Sequence, residues 1–252
     1  MSSVDAAVRA LLRARETGRP AIAADVPLAD AEAAYAVQRG VAAALGGFGD
    51  RGPAHWKSGG ASRESLQTHA LLPSRGVHTS PAERTTLPLV VRGIEAEIAM
   101  RIGRDVDAGI ADDLDLDAAR AQVDAMCVSI ELVESRWAEG LEAPPWAKLA
   151  DMQSHGGLVL GDWVQFTTCD WSQQVCRVTL GDRPTVEGRG SHAMADPAFV
   201  LPAWLRHATR TGAWVRRGTV VTTGTWCGVL YASAGDLVIA EFPGIGRASI
   251  QL

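Results

Sequence analysis

Lysine is almost missing from this 252-residue chain: of 24 basic residues only Lys57 and Lys148 are lysine, and the other 22 are arginine. Few amines are therefore present to titrate, because arginine stays charged at any ordinary pH. A surplus of positive charge is missing too. Against 29 acidic residues the formal net charge is -5, which excludes an extended nucleic-acid surface, since that needs clustered Lys and Arg to displace phosphate counterions. No apolar run approaches the roughly 20 residues that span a bilayer. Residues 1–14, with Arg9 and Arg13, lack the continuous apolar stretch of a secretory signal. The expectation is a cytoplasmic protein. Its cysteines, Cys127, Cys169, Cys176 and Cys227, form neither a CxxC pair nor a zinc-finger spacing with histidine, so they read as reduced structural thiols. Internal repeats and low-complexity tracts are absent.

What is present describes a globular enzyme-sized chain. Apolar residues make up 47% and charged residues 21%, far from the composition of disorder. Up to about Gly46 the pattern is helical: Ala6, Val8, Leu11 and Leu12 give one partial apolar stripe. The alanine-rich stretch from Ala29 to Leu45 gives a second, stopping at Gly46-Gly47. Residues 1–55 are thus expected to form an N-terminal helical segment and residues 56–252 a β-rich catalytic core. From Ile94 to Ile102 alternation is strict, with Glu95, Glu97, Ala99 and Arg101 on one face, which predicts a half-buried strand. A helix from Asp115 to Met126 and a strand from Cys127 to Val133 follow. Asp196-Pro197 opens a helix to Gly212 that Pro202 must kink or divide, and short strands separated by glycines complete the chain from Thr219.

Glu95 and Glu97 stand two apart on a strand, so both carboxylates leave the same face close enough to serve one ion. Hard cations such as Mg²⁺ or Mn²⁺ prefer such oxygen ligands. An isolated ExE also fits a solvated strand face, and the wider pattern decides between the two. Gly93-Ile94-Glu95-Ala96-Glu97-Ile98-Ala99 and Ser129-Ile130-Glu131-Leu132-Val133-Glu134-Ser135-Arg136 resemble signatures of the 2-keto-4-pentenoate hydratase and 2-oxo-3-enedioate decarboxylase group of the fumarylacetoacetate hydrolase superfamily. Further likenesses run in order along the chain: Ala34-Tyr35-Ala36-Val37-Gln38, Trp56-Lys57-Ser58-Gly59, Leu149-Ala150-Asp151 with Gly156-Gly157, Thr223-Gly224-Thr225 and Glu241-Phe242.

The resemblance implies an α+β fold with a mixed, mostly antiparallel β core, and Glu95, Glu97 and Glu131 as ligands of Mg²⁺ or Mn²⁺. Glu134 competes for the third place, but on a strand it would face away from Glu131. The resemblance further implies Lys57 and Asp151 as catalytic groups, Lys57 transferring a proton or orienting substrate near the metal and Asp151 orienting substrate or water; an ammonium beside a cation in a partly closed pocket is expected to have a depressed pKa. Trp56, Gly59, Ser154, Thr225 and Trp226 are implied as substrate contacts, with Trp56, Trp137 and Trp226 as indole walls of a pocket or as ordinary core. The implied reaction is hydration of a 2-hydroxy-2,4-dienoate or its 2-oxo-4-enoate tautomer through an enolate, in aromatic-compound catabolism. Decarboxylation of a 2-oxo-3-enedioate, acylpyruvate-type C–C hydrolysis and service as a non-catalytic partner subunit are the alternatives. A homo-oligomer, or a complex with a pathway enzyme, is also implied. Met152 stands where asparagine is usual after Asp151, Ser58 to Ser62 is more polar than usual, and Trp226 is bulkier than usual. His155 and His192 match no water-activating dyad and read as structural. Lys148 reads as a surface residue.

Overall fold

The computed structural model describes residues 2–46, 52–83 and 91–252. Two helices come first. In α1 (Ser3–Thr17), Ser2 and Asp5 exchange side-chain and backbone hydrogen bonds at the start, and Gly18 at φ 67° ends the helix. In α2 (Ala31–Ala44), Asp30 accepts from the Ala33 N–H. The glycine stop expected for α2 lies partly at Gly47, outside the described residues.

Strands dominate thereafter: β1 (His55–Gly59), β2 (Thr68–Leu72), β3 (Val77–Thr79), β4 (Ala82–Glu83) and β5 (Gly93–Ile102). Short helices α3 (Ala108–Asp112) and α4 (Leu116–Arg120) lead into β6 (Val123–Val133). Then come α5 (Pro145–Ala150), β7 (His155–Leu160), β8 (Val164–Gln165), β9 (Val175–Leu180), β10 (Val186–Arg189) and α6 (Leu201–Thr209). The chain closes with β11 (Val220–Thr222), β12 (Leu230–Tyr231), β13 (Leu237–Phe242) and β14 (Gly246–Gln251). A nine-stranded sheet runs β2-β1-β11-β5-β6-β7-β3, with β12 beside β5 and β8 beside β6, and a five-stranded sheet runs β10-β9-β13-β14-β4. Most pairings are antiparallel, and β1/β11, β3/β7 and β4/β14 are parallel. The expected α+β architecture is the one observed.

The two faces of the large sheet bury different partners. Ile94, Ile98, Met100, Val128 and Ile130 join Val178, Phe242 and Ile250 of the second sheet and Leu201 and Leu205 of α6 in one core. On the other face Ala99, Cys127, Leu158 and Leu160 pack under Leu11 of α1, Val37 and Val41 of α2 and Leu149 of α5. Full burial of each such aliphatic side chain is worth ~1.5–3 kcal/mol, so the N-terminal helices are bound to the sheet by many contacts. Gln38 adds polar ties, donating to Leu149 O at 2.6 Å and His69 O at 3.2 Å.

Three local expectations are corrected. The middle of the β5 face bearing the glutamates, Glu97 and Ala99, is fully buried, while Glu95 and Arg101 toward its ends are partly buried. The helix from Asp115 keeps its cap but ends at Arg120, since Val123 to Met126 extend β6 against β5 and are held by the ladder. Pro202 divides the segment after Asp196 into a 3₁₀ turn (Pro197–Val200) and α6, whose first turn it occupies.

Candidate metal centre

Cross-strand partners share a sheet face, and the register places one set of polar residues on the helix-covered face across four adjacent strands. Glu95 pairs with Glu131, Glu97 with Ser129, Ala99 with Thr222, and Thr222 with Lys57. Glu95, Glu97 and Glu131 each present a carboxylate oxygen within 4.8 Å of the others. Glu97 and Glu131 are 1% and 0% exposed, while Glu95 sits nearer solvent. Lys57 Nζ donates to Glu131 Oε1 at 2.7 Å and to Gln153 O at 3.2 Å. Glu97 Oε2 accepts from Gly224 N–H at 2.9 Å and from the Thr222 hydroxyl.

Charge is out of balance in this group. Burying an ionised carboxylate costs several kcal/mol, and three carboxylates against one ammonium leave a deficit of two positive charges. Burial, with Glu131 and Glu97 adding to it, pushes the Glu95 carboxyl up to about 8, and burial also raises Glu97 and Glu131. The depression expected for Lys57 depends on a cation beside it, and the protein's own groups act the other way. Burial acts to lower it, but Glu131, Glu95 and Glu97 outweigh that and raise it. Both directions come from the same imbalance, one cation shared among three anions. Glu131 Oε2 is buried with no hydrogen-bond partner, a costly state unless something positive meets it. An all-oxygen donor set, a missing double charge and an orphaned oxygen fit a hard divalent cation.

Behind the glutamates lies a turn of three consecutive left-handed residues: Met152, Gln153 and Ser154, at φ 53°, 55° and 58°. Such residues cost ~1 kcal/mol or more each unless the surroundings impose them. Asp151 supplies the anchor. Its carboxylate accepts from Arg136 Nε at 2.7 Å, Arg136 N at 2.9 Å and, from α1, Arg15 at 3.1 Å. Expected to orient substrate or water, Asp151 is 0% exposed and engaged by two guanidiniums and a backbone N–H. The turn instead delivers Gln153 O to Lys57.

His155, read from sequence as structural, is brought to the centre: its Nδ1 lies 3.1 Å from Glu131 Oε1. An irregularity between Leu132 and Val133 pairs Val133 with His155 and turns the imidazole to the glutamate face, where plain alternation would send it away. Gly156 permits it, since a Cβ there would stand 2.8 Å from Leu132 O. His192 remains structural, accepting from Met194 N–H at 3.2 Å and donating through Nε2 to Thr223 O at 2.9 Å.

The remaining site candidates divide. Gly59 ends β1 just beyond Lys57, and Ser154 Oγ is buried without a partner. Thr225 Oγ1 donates to Gly228 O at 3.0 Å. Trp56 alternates with Lys57 and so faces the other side of β1, against Trp204 and His207 and a cavity of about 260 Å³. Trp137 and Trp226 are 2% and 1% exposed, Trp226 lying edge-on to Phe242. Trp137 and Trp226 fill the core, whereas Trp56 lines the cavity on the side of β1 away from Lys57. Glu134 turns away from the centre, accepting from Val91 N–H and Ser135 N–H. Lys148 is partly buried and donates to Leu141 O at 2.9 Å. All four cysteines are free thiols, and no helix among the described residues is long and apolar enough to cross a membrane.

A family model described as Fumarylacetoacetate (FAA) hydrolase C-terminal matches residues 63–252. Among solved structures, 4-oxalocrotonate decarboxylase from Pseudomonas putida G7 superposes with a TM-score of 0.83 in its complex with calcium and acetate and 0.84 with magnesium and adipate. Each is 18% identical and covers 98% of this chain and 96% of that one. A 2-hydroxyhepta-2,4-diene-1,7-dioate isomerase from Mycobacterium marinum matches with a TM-score of 0.56 and 18% identity, over 78% of this chain and 73% of that one. At these identities the likeness is one of fold.

Proposed function

The chain belongs to the fumarylacetoacetate hydrolase family, and from that premise we propose that it is a divalent-metal-dependent lyase releasing carbon dioxide from a 2-oxo-3-enedioate. The observation that carries this choice over hydration is Asp151. Adding water requires a group that orients it, and the residue at the matching position is sealed between Arg15 and Arg136. Decarboxylation requires only an electron sink and a proton. The near-complete overlap with a decarboxylase of similar length supports the same reading.

A divalent cation on Glu95, Glu97 and Glu131 would supply a Lewis acid for the 2-oxo group. Lys57 supplies the proton. As the C5–C6 bond breaks and C6 leaves as carbon dioxide, its electron pair moves through the C3–C4 double bond toward the 2-oxo oxygen, giving a dienolate. The ammonium, fixed by Glu131 Oε1 and Gln153 O, then protonates C3 and is recharged from solvent. Gly59, Ser154 and Thr225 are proposed substrate contacts. Assembly as a homo-oligomer or with a pathway enzyme belongs to the same proposal, as does a cytoplasmic site of action.

Hydration of a 2-hydroxy-2,4-dienoate is the second reading, favoured by the motifs around Glu95 and Glu131. Incubating the purified protein and Mg²⁺ with both substrates separates the two. Carbon dioxide from the enedioate with the dienoate left intact is expected. Hydration of the dienoate without carbon dioxide release would replace the proposal with a hydratase. Turnover seen only as stimulation of an added partner enzyme would point to a supporting subunit.

A further inference from the structure

Each of the two most buried glutamates has one oxygen occupied from behind by two donors. Glu97 Oε2 accepts from the Gly224 N–H at 2.9 Å and the Thr222 hydroxyl, and among the described residues no donor reaches Oε1. Glu131 Oε1 meets Lys57 Nζ at 2.7 Å and His155 Nδ1 at 3.1 Å, while Oε2 is buried without a partner. An ionised carboxylate only accepts, so the imidazole proton facing it is on Nδ1. In both residues two donors occupy one oxygen, and among the described residues the other oxygen meets no donor. The donors come from separate elements: β1 for Lys57, β7 for His155, and β11 with the following glycine for Thr222 and Gly224.

We infer that these four donors form a metal-selectivity device, restricting Glu97 and Glu131 to one coordinating oxygen each and so favouring a small octahedral ion, Mg²⁺ or Mn²⁺, over Ca²⁺. Ca²⁺ gathers about six to eight oxygens and gains from bidentate carboxylates, whereas the smaller ions take six in near-ideal octahedral geometry and keep several waters. Three monodentate carboxylates leave three positions of an octahedron open. They offer Ca²⁺ no second oxygen from either buried glutamate. His155 and Thr222 are positioning residues in this account, acting on the ion through the ligands they hold. The inference rests on the reading of the three carboxylates as a cation site and is independent of which reaction the site performs.

The test is calorimetric titration of the metal-free full-length chain with Mn²⁺ and, separately, Ca²⁺. Wild type is expected to prefer Mn²⁺ by about tenfold or more. His155→Leu and Thr222→Val, each removing one donor at similar volume, are expected to cut that preference by about tenfold, within the 10- to 100-fold range of effects for ligand-positioning residues. His155→Asn, whose amide can donate from nearly the Nδ1 position, is expected to keep it. Thr222→Val carries the test if His155→Leu fails to fold by circular dichroism. Wild type binding Ca²⁺ as tightly as Mn²⁺, or variants that lose both affinities by the same factor, would overturn the inference. Binding of neither ion would overturn the cation site itself, whereas an absence of carbon dioxide release bears only on the reaction.

Discussion

At the scale of single residues, the centre is governed by a shortage of positive charge, and that shortage sorts its variants. Glu97→Gln removes one ligand and places an amide against the Thr222 and Gly224 donors, so Mn²⁺ affinity and turnover are expected to fall together by 100-fold or more, on the order of 3 kcal/mol. Retained activity would refute the assignment. Lys57→Met takes away a competing cation, so the same titration is expected to show Mn²⁺ bound at least as tightly while turnover is lost. Asp151→Asn strips the charge partner from two buried guanidiniums, for one of which, Arg15, burial already lowers the pKa to about 10. A loss of about 3–5 kcal/mol in urea denaturation is expected, as for breaking a buried ion pair. Glu95, Glu97, Glu131 and Lys57 were legible because strand alternation and short motifs operate over a few neighbours. The sealing of Asp151 was not legible because its guanidinium partners come from outside its own segment, Arg136 at 15 residues and Arg15 at 136 residues. His155 was missed because a single irregularity in a strand pairing reverses which face a side chain takes.

At the scale of elements, helix α6 rests on β1 and β2 through rings. His207 lies 4.3 Å from Tyr35 and 4.7 Å from His69, with Trp56 edge-on at 6.2 Å, centroid to centroid. Burial, with help from Arg210 and Arg39, lowers His207 to about 3, and burial lowers His69 as well. The folded-state value of His207 lies below the unfolded value near 6.5, so between about 3 and 6.5 the unfolded chain binds more protons and folding weakens as the pH falls. The difference in melting temperature between wild type and His207→Gln is therefore expected to shift against wild type from pH 7 to pH 5. A difference that stays constant would show that His207 is protonated alike in both states. Helix starts at Asp115 and Asp196 were readable, because a cap is a local hydrogen bond. The early end of the helix after Asp115 was not, since the residues beyond it are claimed by a ladder with a distant strand.

At the scale of the molecule, the N-terminal helices are part of the structure that builds the site. The family match begins at residue 63, yet Lys57 and Arg15 lie before it. Leu11, Val37 and Val41 cover the sheet face that carries Ala99, Cys127 and Leu158. Removing residues 2–46 is expected to expose that face and leave Asp151 with Arg136 alone, giving an aggregating or molten chain by near-ultraviolet circular dichroism. A soluble, metal-binding remainder would show instead that the core folds by itself. The mixed β core and its helical extension were anticipated from the change of periodicity after the first third and from the family resemblance. The strand order was not, because it depends on pairings such as β1 with β11, between segments far apart in sequence. The central claim is that three carboxylates hold a divalent ion that lets Lys57 move a proton at the carbon beside a 2-oxo group. Proton NMR of 2-oxopentanoate in deuterated buffer addresses it most directly: wild type with Mg²⁺ should replace both C3 hydrogens with deuterium, while Glu97→Gln and Lys57→Met should not. Equal exchange with the metal chelated, or in those variants, would contradict it.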